Sequence, residues 1–132
     1  MTNLTYGFDS QGHRGARGLA PENTLAAFAR ALSIGVDTIE LDVGVTRDGV
    51  IVVSHNPRLE PDVTRDENGN WLQQTGPAIH SLTLAELKTF DVGRLKPGTV
   101  YHSQYPDQAA VDGARIPALV EVLDLIRRSG ND

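Results

Sequence analysis

The sequence predicts an α/β protein, because the spacing of its apolar residues changes along the chain between helical and strand-like. Helical spacing over residues 21–35 gives way to strict alternation over 36–46 and to an uninterrupted apolar run over 50–53. Helical spacing returns in the C-terminal half of the chain. With 132 residues, the chain has the size of one domain and can bury its own core.

The first firm element is a helix of about three turns. It follows a polar lead-in over residues 1–12, in which we expect at most a short strand over 6–11. Its start is marked by Pro21 with Asn23 or Thr24, and its end by Gly35. Its predicted apolar face consists of Leu25, Phe28, Ala29 and Leu32.

Two strands are predicted next. Alternation over residues 36–46 places Ile39, Leu41, Val43 and Val45 on one side, and Glu40, Asp42, Gly44 and Thr46 on the other. Asp48-Gly49 is a hairpin signal. The run Val50–Val53 is typical of a strand buried on both faces, and it leaves His55 at its C-terminal end.

The rest of the chain is predicted to combine two long loops with two helices. Residues 56–80 form the longer loop, which Trp71 anchors, and residues 93–113 form the other. A capping box of Thr83 and Glu86 opens a short helix that continues through Phe90. The last helix is expected to open at Ile116-Pro117, to end before Gly130 and to bury Leu119, Val122, Leu123 and Ile126.

Composition excludes several classes of protein. The net charge of −5 and the absence of a Lys/Arg cluster argue against nucleic-acid binding. No cysteine is present for disulfides or thiolate metal sites. The sequence shows no signal-peptide pattern and no apolar stretch approaching 18 residues. We therefore expect no transmembrane segment and a cytoplasmic location by default, or an exported one if a leader was removed.

Glu40 and Asp42 are candidate ligands for a hard cation, because residues two apart on a strand leave the same face. The alternative is a half-exposed strand whose polar side faces water. The apolar run at 50–53 favours the first interpretation, since carboxylates beside a buried sheet need compensation.

His13 and Arg14 lie between two glycines, which would let the backbone bring an imidazole and a guanidinium close to a ligand. Taken alone, they also fit an ordinary surface loop, and His55 fits a structural residue at a strand end. His80 and His102 suggest no role. Together, two histidines and two carboxylates indicate metal-assisted phosphoester cleavage.

The order and spacing of these residues extend into a longer pattern, which resembles the glycerophosphodiester phosphodiesterase family over residues 11–128. The matching residues are His13-Arg14-Gly15, Pro21-Glu22-Asn23-Thr24, Ala27-Phe28, Ala31, Gly35-Val36-Asp37, Glu40-Leu41-Asp42-Val43, Thr46, Asp48-Gly49, Val52-Val53 and His55. The segments 81–88 and 116–123 look like the family's later helices.

The resemblance implies a TIM (β/α)8 barrel that hydrolyses small-molecule glycerophosphodiesters to glycerol 3-phosphate and an alcohol, with Mg²⁺ or Ca²⁺ as cofactor. His13 and His55 would be the acid/base pair, Glu40 and Asp42 metal ligands, and Arg14 a phosphate contact. These groups would belong at the C-terminal ends of barrel strands. Because a hairpin cannot join parallel neighbours, we expect residues 43–47 to descend as an extended return before residues 50–54 rise.

The sequence departs from the family in two respects. Asn56 stands where the family usually has Asp. The strand that carries the third carboxylate ligand would begin just after Asp132, and a closed barrel needs about 250 residues. We therefore expect residues 1–132 to be the N-terminal part of a single barrel domain, with only its first three strands and their connections.

Other functions remain open at this point. The chain could be a non-catalytic half-barrel that binds or interacts without the third ligand, or the barrel could act on lysophospholipids as a lysophospholipase D. An open half-barrel would expose an unpaired strand edge and apolar surface. Self-association would be one way to cover them, so we do not expect an isolated compact monomer.

Overall fold

The computed structural model describes residues 7–130, which form two small sheets and four α-helices, with one strand at the centre of the core. The strands are β1 (Gln11–His13), β2 (Thr38–Glu40), β3 (Val43–Val45) and β4 (Ile51–Val53). The helices are α1 (Leu25–Ile34), α2 (Leu84–Leu87), α3 (Val100–Gln104) and α4 (Leu119–Arg128), with a 3₁₀ helix at Ile79–Ser81. The strand expected at 6–11 lies partly outside the described residues, and β1 begins later, at Gln11.

Helix α1 begins and ends as predicted. The Thr24 hydroxyl accepts a hydrogen bond from the Ala27 amide, and Gly35 ends the helix with a φ of 88°. Phe28 is buried as predicted, but Leu25 and Ala29 are exposed, and Ala27 and Ala31 are buried in their place.

The reason for this shift is the close approach of the loop that follows β1. A Cβ atom at Gly15 would lie 2.8 Å from Ala27, and the Ala16 amide donates to the Ala27 carbonyl over 3.0 Å. Only small side chains fit at such a contact, so alanine rather than leucine lies against this loop.

The predicted strand over 36–46 is two strands. β1 and β2 pair in parallel, with His13 opposite Glu40, whereas β3 pairs antiparallel with β4, with Val43 opposite Val53. The chain changes sheets at residues 41–42, where the Asp42 carbonyl accepts the Ser54 amide over 2.9 Å.

The predicted hairpin at Asp48-Gly49 is confirmed. Gly49 has a φ of 82°, and the Thr46 amide donates to the Val50 carbonyl. β3 therefore is the extended return that precedes the rise of β4. Its side chains do not share a buried face with Ile39, however, because Val43 and Val45 are 56% and 50% exposed.

Strand β4 is the centre of the core. Val52 lies in one apolar cluster and Val53 in another, so this part of the strand is buried on both faces as predicted. The first cluster consists of Val52, Leu59, Ile79, Leu87 and Ile116, and the second of Phe28, Val53 and Val122. Ile51 departs from the prediction, since it is 46% exposed on the outer side of the hairpin.

The capping box of α2 is confirmed: the Thr83 hydroxyl accepts from the Glu86 amide, and Glu86 reaches back to the Thr83 amide. The helix is one turn long and ends at Leu87 rather than Phe90. Within the predicted loop 93–113, the structure contains α3, which the sequence analysis missed. Thr99 caps α3 by accepting a hydrogen bond from the His102 amide.

Helix α4 begins two residues after the predicted opening at Ile116-Pro117. The Pro117 carbonyl accepts the Val53 amide and Ala118 pairs with Val52, so these residues extend the sheet before the helix begins. Val122 is buried as predicted, but Leu123 is 52% exposed, which corrects its place on the apolar face. No helix within residues 7–130 has the length and apolar character needed to cross a membrane.

An ion cluster ties the two long loops together. Arg65 Nη2 lies 3.0 Å from Asp91 Oδ2 and 2.7 Å from Asp112 Oδ1. The same guanidinium lies 5.5 Å from the ring centroid of the half-buried Trp71. Arg94 also pairs with Asp112, over 2.9 Å. Trp71 therefore contributes to anchoring its loop through Arg65.

This cluster should make the second loop sensitive to acid. Hydrogen bonds from Arg94, and then from Arg65, lower the pKa of Asp112 to about 2. A carboxyl group whose pKa is lower in the folded than in the unfolded protein stabilises the folded protein while it is ionised. This stabilisation is present above about pH 4 and is lost as the pH falls towards 2. We expect pepsin cleavage within residues 91–113 to increase over this range.

The control for this prediction is a pair of variants in the same loop. Asp112→Asn should be cleaved readily already at pH 4 and respond less to further acidification, whereas Asp107→Asn at an exposed carboxylate should follow the unmodified protein. Identical pH profiles for Asp112→Asn and the unmodified protein would show that the ion cluster does not hold the loop.

Candidate functional site

The predicted site residues lie where strands β1, β2 and β4 end. His13 and Glu40 are the last residues of β1 and β2 and stand opposite each other in the parallel register. Arg14 follows His13 directly, and Asp42 lies two residues beyond Glu40. Side chains at the carboxyl ends of parallel strands converge at one edge of the sheet.

The His13 imidazole lies between a carboxylate and a guanidinium. Its Nε2 is 3.4 Å from Glu40 Oε2, and its Nδ1 is 3.0 Å from Arg17 Nη2. Because a guanidinium can only donate, Nδ1 accepts this hydrogen bond and Nε2 faces Glu40. The atom of His13 that is left for proton transfer is therefore Nε2.

Arg14 has a left-handed backbone conformation, with a φ of 55°. Its amide donates to Glu40 Oε2 over 3.1 Å, and its Nη1 pairs with Glu22 Oε2 over 2.9 Å. Its Nε lies 3.9 Å from Asp42 Oδ2. A strained backbone at a non-glycine residue persists only where its surroundings require it. Here it places one main-chain donor and one cation against the predicted carboxylates.

Glu22 and Asn23 belong to the site, although the sequence analysis gave them no role. Asn23 has a φ of 53°, its amide donates to the Arg14 carbonyl, and its Nδ2 donates to Asp42 Oδ2 over 3.3 Å. Glu22 accepts a hydrogen bond from the Tyr101 hydroxyl in addition to its pair with Arg14. The signal for both was their place in the segment Pro21-Glu22-Asn23-Thr24.

His55 lies near the other predicted site residues. Within residues 7–130, no hydrogen bond or ion pair joins it to His13, Arg14, Glu40 or Asp42. It lines a cavity of about 50 Å³ with Glu22 and Asn23, which in turn contact Arg14 and Asp42. Its Nδ1 lies 2.6 Å from Asn56 Oδ1. Since an amide oxygen only accepts, the hydrogen on Nδ1 is donated to Asn56 and Nε2 is left free for proton transfer.

Glu40 and Asp42 suit a hard divalent cation that depends on water and substrate for most of its ligands. Within residues 7–130, no group of three or more His, Asp or Glu side chains is arranged to hold a metal ion. Mg²⁺ commonly keeps several waters and binds through one or two carboxylates together with substrate phosphate. The two carboxylates thus match this donor chemistry, and Arg14 and Asn23 hold them in place.

The fold and these residues define a class: an α/β protein with histidines, carboxylates and an arginine at the ends of its strands. The sequence matches the Glycerophosphoryl diester phosphodiesterase family over residues 13–132. The chain belongs to this family.

Three relatives illustrate the similarity. A glycerophosphodiester phosphodiesterase of Caldanaerobacter subterraneus subsp. tengcongensis is 40% identical over 114 residues, which cover 86% of this chain and 38% of that protein. The second relative is a Silicibacter pomeroyi DSS-3 protein of known crystal structure, provisionally named a glycerophosphoryl diester phosphodiesterase. Its sequence is 48% identical and the TM-score is 0.87, and the match covers 91% of this chain and 40% of that chain.

The third relative is an Oleispira antarctica phosphodiesterase in complex with the product sn-glycerol-3-phosphate. It is 31% identical, with a TM-score of 0.65, and the match covers 96% of this chain and 43% of that chain. This chain therefore spans about two-fifths of the length of each of the three relatives.

Proposed function

We propose that this chain provides part of the active site of a metal-dependent phosphodiesterase, which hydrolyses glycerophosphodiesters to glycerol 3-phosphate and an alcohol. The observation that carries the proposal is the parallel pairing of His13 with Glu40, which gathers Arg14 and Asp42 at the same strand ends. The Oleispira relative is in complex with the product sn-glycerol-3-phosphate, which supports glycerol 3-phosphate as the product of the reaction proposed here.

In this proposal each histidine takes part in proton transfer through its Nε2, since Nδ1 is engaged by Arg17 in His13 and by Asn56 in His55. His55, whose Nδ1 hydrogen is donated to Asn56, has a lone pair on Nε2 that removes a proton from the attacking hydroxyl or water. His13, whose Nδ1 accepts from Arg17, carries its hydrogen on Nε2 and delivers it to the oxygen of the departing alcohol. Acid and base on separate strands can then act on opposite sides of the phosphorus atom.

Arg14 would contact the phosphate through its guanidinium, which has a planar donor arrangement suited to phosphate oxygens. Its pair with Glu22 fixes the position of the side chain, which is only 13% exposed. A cation held in place before substrate arrives loses little freedom on binding, so it can stabilise developing negative charge effectively.

Glu40 and Asp42 would hold Mg²⁺ or Ca²⁺ in the same proposal. When bound, such an ion supplies positive charge that polarises a phosphoryl oxygen. The Arg14 amide and the Asn23 side chain orient the two carboxylates for this purpose.

We further propose that residues 1–132 supply the first three strands of a TIM barrel and that the remaining strands complete the metal site. A barrel of this kind needs about 250 residues, and the relatives are correspondingly longer than this chain. The half-exposed Val43, Val45 and Ile51 on the β3–β4 hairpin are apolar surface that further structure or self-association would cover.

The test of the metal site is titration with Mg²⁺ and with Ca²⁺ by calorimetry, together with hydrolysis assays, on the protein at its natural length. Chelation should abolish hydrolysis of glycerophosphocholine, and either ion should restore it. Removing an outer-shell partner of a metal ligand typically lowers metal affinity 10- to 100-fold, and removing a direct ligand should matter at least as much. Glu40→Gln or Asp42→Asn should therefore weaken ion binding at least about 10-fold.

Glu67→Gln, which removes an exposed carboxylate in the first long loop, is the matched control and should bind and hydrolyse normally. Full activity under chelation would refute the metal dependence. Ion binding without turnover would favour the non-catalytic binding module, and turnover of lysophospholipids in preference to glycerophosphocholine would favour a lysophospholipase D.

A further inference from the structure

Arg17 connects the β1–α1 loop to helix α3. Its Nη2 lies 3.0 Å from His13 Nδ1, its Nη1 donates to the Tyr101 hydroxyl over 3.3 Å, and its guanidinium carbon lies 4.7 Å from the Tyr105 ring centroid. The two tyrosine rings meet edge to face, with centroids 5.5 Å apart. The guanidinium that contacts His13 is therefore supported by Tyr101 on α3 and by Tyr105 directly after α3.

The backbone around Arg17 is tied to the same part of the chain. Gln108 Nε2 donates to the Arg17 carbonyl over 2.7 Å, and the Ala109 amide donates to the Leu19 carbonyl over 3.0 Å. Because both its main chain and its side chain have partners, Arg17 is held in one position.

His13 itself has little else to fix its ring. Its side chain is 56% exposed, and its other described contact is the 3.4 Å approach of Nε2 to Glu40. An exposed imidazole can rotate among several rotamers, whereas a hydrogen bond from Arg17 to Nδ1 selects the one that directs Nε2 towards Glu40.

We propose that Arg17 is a positioning residue for His13, and that Tyr101 on α3 and Tyr105 directly after α3 hold Arg17 in place. The inference rests on the proposed function of His13 as a proton-transfer residue. It gives a role to α3, the element that the sequence analysis missed. Partners that orient a functional histidine through its second nitrogen typically change activity 10- to 100-fold when they are removed.

The test compares Arg17→Met, which keeps the length of the side chain but has no donor, with Arg17→Lys, which keeps a cationic donor. Both are measured for glycerophosphocholine hydrolysis in the protein at its natural length. We expect Arg17→Met to lower kcat about 10- to 100-fold with KM within about twofold. Arg17→Lys should recover part of this loss. Arg30→Met, at an exposed arginine of α1, is the matched control and should behave as the unmodified protein.

A double-mutant cycle separates positioning from a general structural effect. If Arg17 acts through His13, Arg17→Met should have little further effect in a His13→Ala background. An equal loss of kcat in both backgrounds would overturn the inference, as would unchanged kcat in Arg17→Met. Near-normal turnover of His13→Ala alone would instead refute the proposed function, so the two failures are distinguishable.

The ring nitrogens of His13 provide a readout that does not depend on activity. Long-range ¹H–¹⁵N spectra should show the hydrogen of the neutral ring on Nε2, and Arg17→Met should give a mixture of the two tautomers. Tyr105→Leu, which removes the aromatic support, should move the spectrum in the same direction. Spectra of His13 that are identical in all three proteins would overturn the inference.

Discussion

Replacing His55 with alanine is expected to lower kcat for glycerophosphocholine about 100- to 10,000-fold, which is the usual contribution of a positioned acid or base. The expectation rests on its place at the end of β4 and on the engagement of Nδ1 by Asn56 Oδ1, which leaves Nε2 available. The measurement is steady-state hydrolysis by the protein at its natural length, with Mg²⁺ or Ca²⁺ present.

His102→Ala is the matched control, because this exposed histidine on α3 has no role in the proposed site. It should leave kcat unchanged, and thermal unfolding of both variants should resemble that of the unmodified protein. A His55→Ala protein that turned over at a near-normal rate would remove His55 from the acid/base pair.

Replacing Phe28 with alanine is expected to lower the free energy of unfolding by about 3 to 5 kcal/mol. Phe28 is completely buried on α1 and lies in the apolar cluster with Val53 and Val122. Truncation would leave a cavity between α1, β4 and α4, the elements that hold the strand ends of the site together.

The measurement is urea unfolding of the protein at its natural length, and Ile34→Ala on the same helix is the control. Ile34 is 54% exposed, so its truncation should change the free energy of unfolding by less than about 0.5 kcal/mol. Equal effects of the two substitutions would show that α1 does not pack through the Phe28 face.

Features of the fold that depend on local chemistry could be predicted from the sequence. The cap at Thr24, the left-handed Gly35, the Thr83 capping box and the Asp48-Gly49 turn each depend on a few neighbouring residues. Features that depend on distant partners could not. The break after Glu40 follows the bond between the Asp42 carbonyl and the Ser54 amide, which alternation of apolar residues does not reveal.

The same distinction applies to the helices. The start of α4 is delayed because Pro117 and Ala118 pair with β4, and nothing in their own sequence indicates that pairing. Helix α3 has none of its residues buried, so no apolar periodicity could indicate it. Its only local signal is the cap at Thr99.

For the candidate site, the sequence indicated residue types suited to the proposed chemistry but not the residues that hold them in place. His13, Glu40 and Asp42 were recognisable from their spacing and from the family resemblance. The contact of Arg17 with Tyr101 crosses more than 80 positions of sequence, and Asn23, which has a left-handed backbone, contacts Asp42 across 19 positions. Such roles depend on tertiary structure.

The most direct test of the proposed function is ³¹P NMR of glycerophosphocholine incubated with the protein at its natural length and Mg²⁺ or Ca²⁺. We expect the diester signal to be replaced by that of glycerol 3-phosphate, and this conversion to be lost in His13→Ala. Persistence of the diester with either ion, or the appearance of phosphocholine in place of glycerol 3-phosphate, would contradict it.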